Sequence, residues 1–307
     1  MRVLLIAGGW SDERQVSLNG AKQINNALKS LGHEVLFFDL TPDFTDLIEA
    51  AKKCDAAFIN LHGCPGEDGT IQALLNDAGL PYQGSDIVGS CIAINKNLSK
   101  QIYKNHGMPT PKWTMITRTD RLPRINLDYP YIAKPNYGGS SLGLSIINND
   151  QEYENYFTAL PEHFNEVLCE AFINGIELTC AVLDNQALPP ILIKPRKSTY
   201  FDYASKYDHD GAHEICPAPI DDVVSKKICA LALQAHEVLK LKHYSRTDFM
   251  CDKNGNIFIL ETNTLPGMTA TSLVPKAALA AGLEFEDLID RLLFLTISDK
   301  NSNTKKT

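Results

Sequence analysis

The first eighty residues repeat one pattern three times: a short apolar run, a loop, then an amphipathic stretch. RVLLIA at 2–7 leads to VSLNGAKQINNALKSLG, where Leu18, Ile24, Leu28 and Leu31 recur at helical spacing and Gly32 ends the helix. HEVLFFDL with DLIEAAKKC repeats the unit, and AAFINLHG with TIQALLNDAGL repeats it again. This βαβαβα order predicts an α/β fold whose parallel sheet is covered by helices. Ligands of such sheets sit beyond the carboxyl ends of the strands. The loops there are GGWSDER and HGCPGEDG, which makes Glu13 and His62 candidate site residues. Taken alone, a loop glutamate is usually solvated and a single histidine is usually a hydrogen-bonded structural residue.

The texture changes after Gly84. SKQIYKNHG predicts a helix ending at Gly107, followed by short strands in WTMIT, YPYIAK and LSIIN, a helix in QEYENYFTAL and a strand in EVLCEAF. IELTCAVLDNQALPPILIK predicts a hairpin turning at Asp184-Asn185. A long polar loop from 195 to 218 comes next, then a helix from 223, two strands (HYSRTDFMCD and NIFILETNT), two helices, and a polar tail expected to fray. Loops this long in a compact domain are usually functional or disordered.

The strand pair near the end carries the strongest chemical pattern. Arg246-x-Asp248 lies on one strand and Glu261-x-Asn263 on the next. Side chains two apart on a strand share a face, and a hairpin around CDKNGN sets the two pairs side by side. Asp248, Glu261 and Asn263 then offer hard oxygen atoms of the kind that hold Mg²⁺. The plain alternative is an exposed sheet face with incidental charges. Apolar flanks on both strands argue against it, because charge inside a core strand is costly unless paired. A second pattern, KPNYGGSSLG at 134–143, joins two apolar runs. Its glycines can turn a hairpin and present N–H groups to an anion, although a glycine-rich hairpin is a common connection. Lys96 and Lys134 are single lysines, and no GxxxxGK[ST] loop occurs.

Composition bounds the function classes. A net charge of −8 with no lysine or arginine cluster argues against a nucleic-acid surface. No apolar run reaches the length of a membrane span, and MRVLLIA is too short for a secretion signal. Eight cysteines without CxxC spacing suit a reduced, cytoplasmic setting.

Together these segments resemble the D-alanine–D-alanine ligases of the ATP-grasp superfamily, from the first strand to about residue 297. GGWSDERQVSLNG, LHGCPGEDGTIQALL, KPNYGGSSLG, FDYASKYD and RTDFMCD…ETNTLPGMTATSLVP are each similar to a family segment, the last being the most specific. The resemblance implies an N-terminal parallel α/β (pre-ATP-grasp) domain at 1–90. A two-part ATP-grasp α+β region would follow at 91–175 and 176–307, with a lid loop at 196–214. It implies that ATP phosphorylates the carboxylate of one D-alanine and that the amine of a second attacks the acyl phosphate.

The resemblance also implies roles. Asp248, Glu261 and Asn263 hold two Mg²⁺ ions, and Mn²⁺ fits the same set. Arg246 and the Gly267 N–H stabilise the oxyanion. Lys96, Lys134, Gly138, Gly139 and Ser141 bind the ATP phosphates, and Glu170, Phe172 and Glu177 form the hinge at adenine and ribose. Glu13 binds the first ammonium beside His62, and Ser140 and Tyr207 link to Glu13. Lys206, Ser272 and Leu273 secure the second carboxylate. A homodimer is implied as well.

The sequence departs from the family pattern at Trp10, at Cys64-Pro65, at Asn95, at Asn136-Tyr137 and at Ala171. None of these removes an expected ligand. Three alternatives stand beside the main reading. A D-alanine–D-lactate or D-alanine–D-serine ligase differs in its second nucleophile; Lys206-Tyr207 favours D-alanine, with His209 close by. Another ATP-grasp carboxylate–amine ligase would keep the same metal set. A nucleotide-binding module without catalysis would lack one of Arg246, Asp248, Glu261 or Asn263, and all four are present.

Overall fold

The computed structural model describes residues 1–118, 123–139, 142–161, 163–195 and 212–303. Strands β1 (Arg2–Gly8), β2 (Glu34–Leu40) and β3 (Ala56–Ile59) form the expected parallel sheet, in the order β2-β1-β3. Helices α1 (Arg14–Ser30), α2 (Thr45–Ala51) and α3 (Thr70–Asp77) alternate with them. Two helices follow, α4 (Ile87–Ile94) and α5 (Lys96–Asn105), where the sequence predicted one. The sequence of α4, IVGSCIAI, is apolar almost all round and shows no helical period. Asn95 separates the two helices and caps α5, accepting from Leu98 N at 2.9 Å.

An antiparallel sheet comes next, with strand order β4-β7-β5-β6. It contains β4 (Trp113–Thr117), β5 (Tyr131–Pro135), β6 (Ser145–Ile147) and β7 (Glu166–Ala171), with α6 (Asp150–Ala159) between the last two. The second antiparallel sheet is formed by β8 (Gly175–Leu183), β9 (Gln186–Ala187), β10 (Ile191–Pro195), β11 (Ala212–Ile215), β12 (Tyr244–Asp252) and β13 (Ile257–Asn263). Its order is β11-β10-β8-β12-β13, with β9 paired to β8. Asp184 and Asn185 both have positive φ, 50° and 60°, as the tight turn of the expected hairpin requires. Strand β11 lies inside a stretch that the sequence assigned wholly to a loop. Helices α7 (Asp222–Val238), α8 (Leu273–Ala280) and α9 (Phe285–Asn303) complete the fold, and α9 continues into the tail that the sequence expected to fray.

Burial explains the assembly. Val3 to Ala7 of β1 are fully buried, as strands covered on both faces must be. Ile24 and Leu28 of α1 pack on that sheet, and so do Leu288 and Leu292 of the returning α9. A second core lies under α7, where Ile228, Ala232 and Ala235 meet Leu178, Phe249 and Ile259. A third, rich in tyrosine, fills the space between α6 and the four-stranded sheet.

Candidate active site

The pairing of β12 with β13 sets Asp248 opposite Glu261 and Arg246 opposite Asn263, as the spacing predicted. An irregularity then makes this face usable. Beyond Asp248 the pairing shifts, and Phe249 faces Ile259. In an uninterrupted strand Ile257, Ile259, Glu261 and Asn263 would share one face. The extra residue, Leu260, turns the strand, so Ile257 and Ile259 are buried under α7 while Leu260 and Glu261 line a cavity on the opposite side. Arg246 holds Asp248 with two bonds, Nε to Oδ1 at 2.9 Å and Nη2 to Oδ2 at 2.8 Å. Thr179 of β8 donates to Asp248 Oδ1 at 2.6 Å, and Asn263 Nδ2 lies 3.3 Å from Oδ2.

The cavity encloses about 360 Å³ between the two antiparallel sheets. Lys96, Lys134, Gly138, Gly139, Glu170, Phe172, Glu177, Asp248 and Glu261 all line it, together with apolar Ile132, Leu144 and Met250. Its second wall is cationic. Glu170 is buried between two lysines, with Lys134 Nζ 2.5 Å from Oε1 and Lys100 Nζ 2.7 Å from Oε2. Burial alone pushes Glu170 up, but the two ammonium groups hold it below the usual carboxylate range. Burial pushes Lys100 down to about 8, and Glu170 limits the fall. Lys134 is raised, because Glu170 and Glu261 outweigh its burial. Lys96 spans the two walls: its Nζ donates to Gly138 O at 2.6 Å and lies 3.4 Å from Glu261 Oε2.

Glu13 and His62 sit at the ends of their strands, as expected. Glu13 is the residue preceding α1 and is buried. Its neighbours tie the loop down. Arg14 grips Asp39 with two 2.7 Å bonds and reaches Gly9 O at 2.9 Å. Ser17 accepts from Gly8 N at 2.8 Å and donates to Asn60 O. Ser11 Oγ donates to His62 O at 2.7 Å, joining the two loops. The His62 ring donates from Nδ1 to Leu265 O at 3.2 Å, and burial keeps its pKa low against the pull of Glu13. Gly139 approaches Glu13 so closely that a β-carbon there would lie 3.4 Å from Glu13 Oε2. The loop that lines the cavity therefore also runs beside Glu13.

The Gly267 loop packs on Ser272, whose Oγ accepts from Thr269 N at 3.1 Å. Ser272 precedes α8 and Leu273 opens it. Ser140, Ser141, Lys206 and Tyr207 lie outside the described residues, as does most of the 196–214 loop.

Four participants were not anticipated from the sequence. Lys100 lies four residues after Lys96 on α5, a same-face spacing that could have flagged it. Thr179 had no signal. Glu67 is a partly buried carboxylate accepting from Gly63 N at 2.8 Å, and desolvation with the nearby charge of Glu13 pushes it up to about 7. Asn136 links two departures from the family pattern: its Nδ2 donates to Asn95 Oδ1 at 3.1 Å, while Asn95 Nδ2 donates to Tyr137 Oη at 2.8 Å. These three unusual residues are thus partners in one network beside Lys96.

Residues 43–85 match the family model described as D-ala D-ala ligase N-terminus, and residues 102–294 match the one described as D-ala D-ala ligase C-terminus. The D-alanine–D-alanine ligase of Nitratidesulfovibrio vulgaris (strain DP4) is 50% identical over 296 residues, 96% of this chain and 98% of its own. That of Desulfovibrio desulfuricans is 48% identical over 302 residues, 97% and 98% of the two chains. Among solved structures, the Bacillus anthracis D-alanine–D-alanine ligase complexed with ATP superposes with a TM-score of 0.87 at 33% identity, covering 99% of each chain. The VanG D-Ala:D-Ser ligase of Enterococcus faecalis superposes with a TM-score of 0.82 at 26% identity, covering 96% of this chain and 99% of its own.

Proposed function

Because the chain belongs to the D-alanine–D-alanine ligase family, we propose that it joins two D-alanines into D-alanyl-D-alanine while converting ATP to ADP and phosphate. The dipeptide would serve peptidoglycan precursor synthesis. One observation carries the reading of the site: an acidic strand pair, Asp248 opposite Glu261, faces a lysine-bearing wall across a single cavity. An anionic polyphosphate with its cations suits such a cavity.

The oxygen set fits the metal the family implies. Asp248, Glu261 and Asn263 are hard donors sharing the cavity side of one hairpin. They would hold two Mg²⁺ ions, or Mn²⁺, and ions bound there neutralise charge on the phosphates. The remaining work falls to the chain. Lys96 and Lys134 attract the phosphates, and Lys134 is fixed for this by Glu170. Phe172 with the apolar lining receives the adenine, and Glu177 the ribose. Gly138, Gly139 and Ser141 close over the phosphates. Glu13 takes the ammonium of the first D-alanine beside His62, with Ser140 and Tyr207 completing that contact. Arg246 and the Gly267 N–H stabilise the oxyanion that forms when the second amine attacks. Ser272, Leu273 and Lys206 hold the second carboxylate. Exclusion of water keeps the acyl phosphate from hydrolysis.

The same reading divides the chain into an amino-acid-binding unit at 1–90 and two ATP-grasp units at 91–175 and 176–307. It carries a homodimeric, cytoplasmic enzyme as its setting. No described helix is long and apolar enough to cross a membrane. The test is incubation with ATP, Mg²⁺ and D-alanine, following phosphate and dipeptide. Phosphate release that does not depend on D-alanine would overturn the proposal. Competition by D-serine and D-lactate across pH assigns the second substrate.

A further inference from the structure

The chain leaving β5 is stitched to the start of α5 at three successive residues, Asn136, Tyr137 and Gly138. The first stitch is buried. Asn136 is 1% exposed. Its Oδ1 accepts from Asn97 N at 2.9 Å, and its Nδ2 donates to Glu166 Oε2 at 2.7 Å and to Asn95 Oδ1 at 3.1 Å. Its backbone O accepts from Lys96 N at 3.2 Å, and its N donates to Glu166 O at 2.9 Å. Every polar atom of Asn136 is engaged, so it anchors the fold. The second stitch is at the rim. Tyr137 is 43% exposed and lines the cavity, and its Oη accepts from Asn95 Nδ2 at 2.8 Å. The third reaches a candidate phosphate ligand: Gly138 O accepts from Lys96 Nζ at 2.6 Å.

We propose that Asn95 and Tyr137 are positioning residues for nucleotide binding, whose side-chain bond fixes the start of the glycine loop and so sets Gly138 O where it aims the Lys96 ammonium at an anionic phosphate in the cavity. The inference rests on the ATP-binding reading of that cavity. The buried Asn136 holds the chain only at its own position. Soft torsions lie between it and Gly138, and Gly138 turns at once with a φ of 98°. A tyrosine ring tied at its far end restrains those torsions. The amide of Asn95 divides its two ends for this. Oδ1 caps α5 through Leu98 N, which leaves Nδ2 to donate to Tyr137.

The aim of Lys96 is contested. An ammonium carries three donors. Gly138 O takes one, and Glu261 Oε2, at 3.4 Å, attracts a second. With both partners in place the ammonium stands between the two walls, and its third donor serves the anion. If Gly138 O shifts, Glu261 alone directs the ammonium. Lys96 then neutralises a proposed metal ligand instead of a phosphate. Two of the departures from the family pattern are thereby one device, because Asn95 supplies the donor that Tyr137 accepts.

Calorimetric titration of the whole protein with ATP and Mg²⁺ gives Kd, steady-state phosphate release gives kcat, and thermal melting reads the fold. Tyr137→Phe removes only the hydroxyl and leaves Asn136 and the α5 cap intact. Its Kd for ATP should rise about two- to tenfold, the worth of one neutral hydrogen bond, with kcat within about twofold and Tm unchanged. Asn95→Ser keeps a capping oxygen and loses the tether. On that background Tyr137→Phe should add nothing. Asn95→Asp is the rescue: one carboxylate oxygen still caps α5, the other accepts from Tyr137 Oη, and Kd should return to about the wild-type value. The Tyr137→Phe result decides even where Asn95→Ser does not fold. An unchanged Kd in Tyr137→Phe, a loss of Tm in parallel with Kd, additive effects of the two changes, or no rescue by Asn95→Asp would overturn the proposal. A wild type that binds ATP yet releases no D-alanine-dependent phosphate refutes the ligase reading, while the Kd ratio still decides this one. A wild type that binds no ATP overturns both.

Discussion

The two sheets that wall the cavity handle charge in opposite ways. On the four-stranded side, two lysines share one glutamate, and all three are withdrawn from water: the side chains of Lys100, Glu170 and Lys134 are 0%, 3% and 8% exposed. On the six-stranded side, Arg246 holds Asp248, while Glu261 lies 3.4 Å from the Lys96 ammonium and keeps 20% of its side chain exposed. The first wall is a closed, mutually paired cluster whose geometry is set before anything binds. The second stays partly open at Glu261. A polyanion needs fixed cations, whereas metal ligands must be able to turn toward an arriving ion.

This contrast predicts different consequences for removing one carboxylate from each wall. Glu170→Ala strands the fully buried ammonium of Lys100. Breaking a buried pair in this way costs about 3–5 kcal/mol, so denaturant unfolding should show a large loss of stability. A Lys100→Met, Glu170→Leu double variant should recover most of it. A single-variant loss no larger than that of an exposed pair would mean that the cationic wall is not a closed cluster.

Glu261→Gln makes the opposite trade. Gln keeps a carbonyl oxygen toward Lys96, whose ammonium also donates to Gly138 O, so the fold should lose less than the roughly 3–5 kcal/mol of a broken buried pair. Turnover should fall by at least about 10²–10³, or about 3–4 kcal/mol of barrier. D-alanine-dependent phosphate release and thermal melting read the two effects separately. A folded variant with near-wild-type turnover would remove Glu261 from the proposed metal set.

The same contrast explains what was legible in the sequence. The acidic wall could be read because its residues are two apart on adjacent strands, a local pattern fixed by the pleat. The bulge at Leu260 could not, since nothing in NIFILETN marks where the period slips. The cationic wall was half legible. Lys134 and Glu170 came from resemblance, but their pairing with each other and with Lys100 joins three separate elements. The resemblance assigns Lys134 and Glu170 to different parts of ATP, and in the fold their side chains meet. The network of Asn95, Asn136 and Tyr137 had the same difficulty, appearing in the sequence as unrelated departures. The parallel sheet was legible throughout, because each element carries its own period. α4, uniformly apolar, was not.

The smallest expected effect concerns the reverse face of the acidic wall, which the fold keeps neutral. His236 of α7 is buried, with Nδ1 2.8 Å from Ser245 Oγ on β12. Burial, and secondarily His243, lowers its pKa from 6.5 to about 4. The folded protein then refuses a proton that the unfolded chain accepts between those values. Stability from this group is therefore complete above pH 6.5 and is lost as the pH falls toward 4. Between pH 6.5 and 5.5 the wild type should lose about 1 kcal/mol more than a His236→Gln variant, since each pH unit carries at most about 1.4 kcal/mol. Other histidines titrate in both proteins, so the difference between their urea midpoints isolates this one. Parallel losses would show that His236 accepts a proton inside the fold, and the contrast between a charged cavity face and a neutral core face would then fail at this strand.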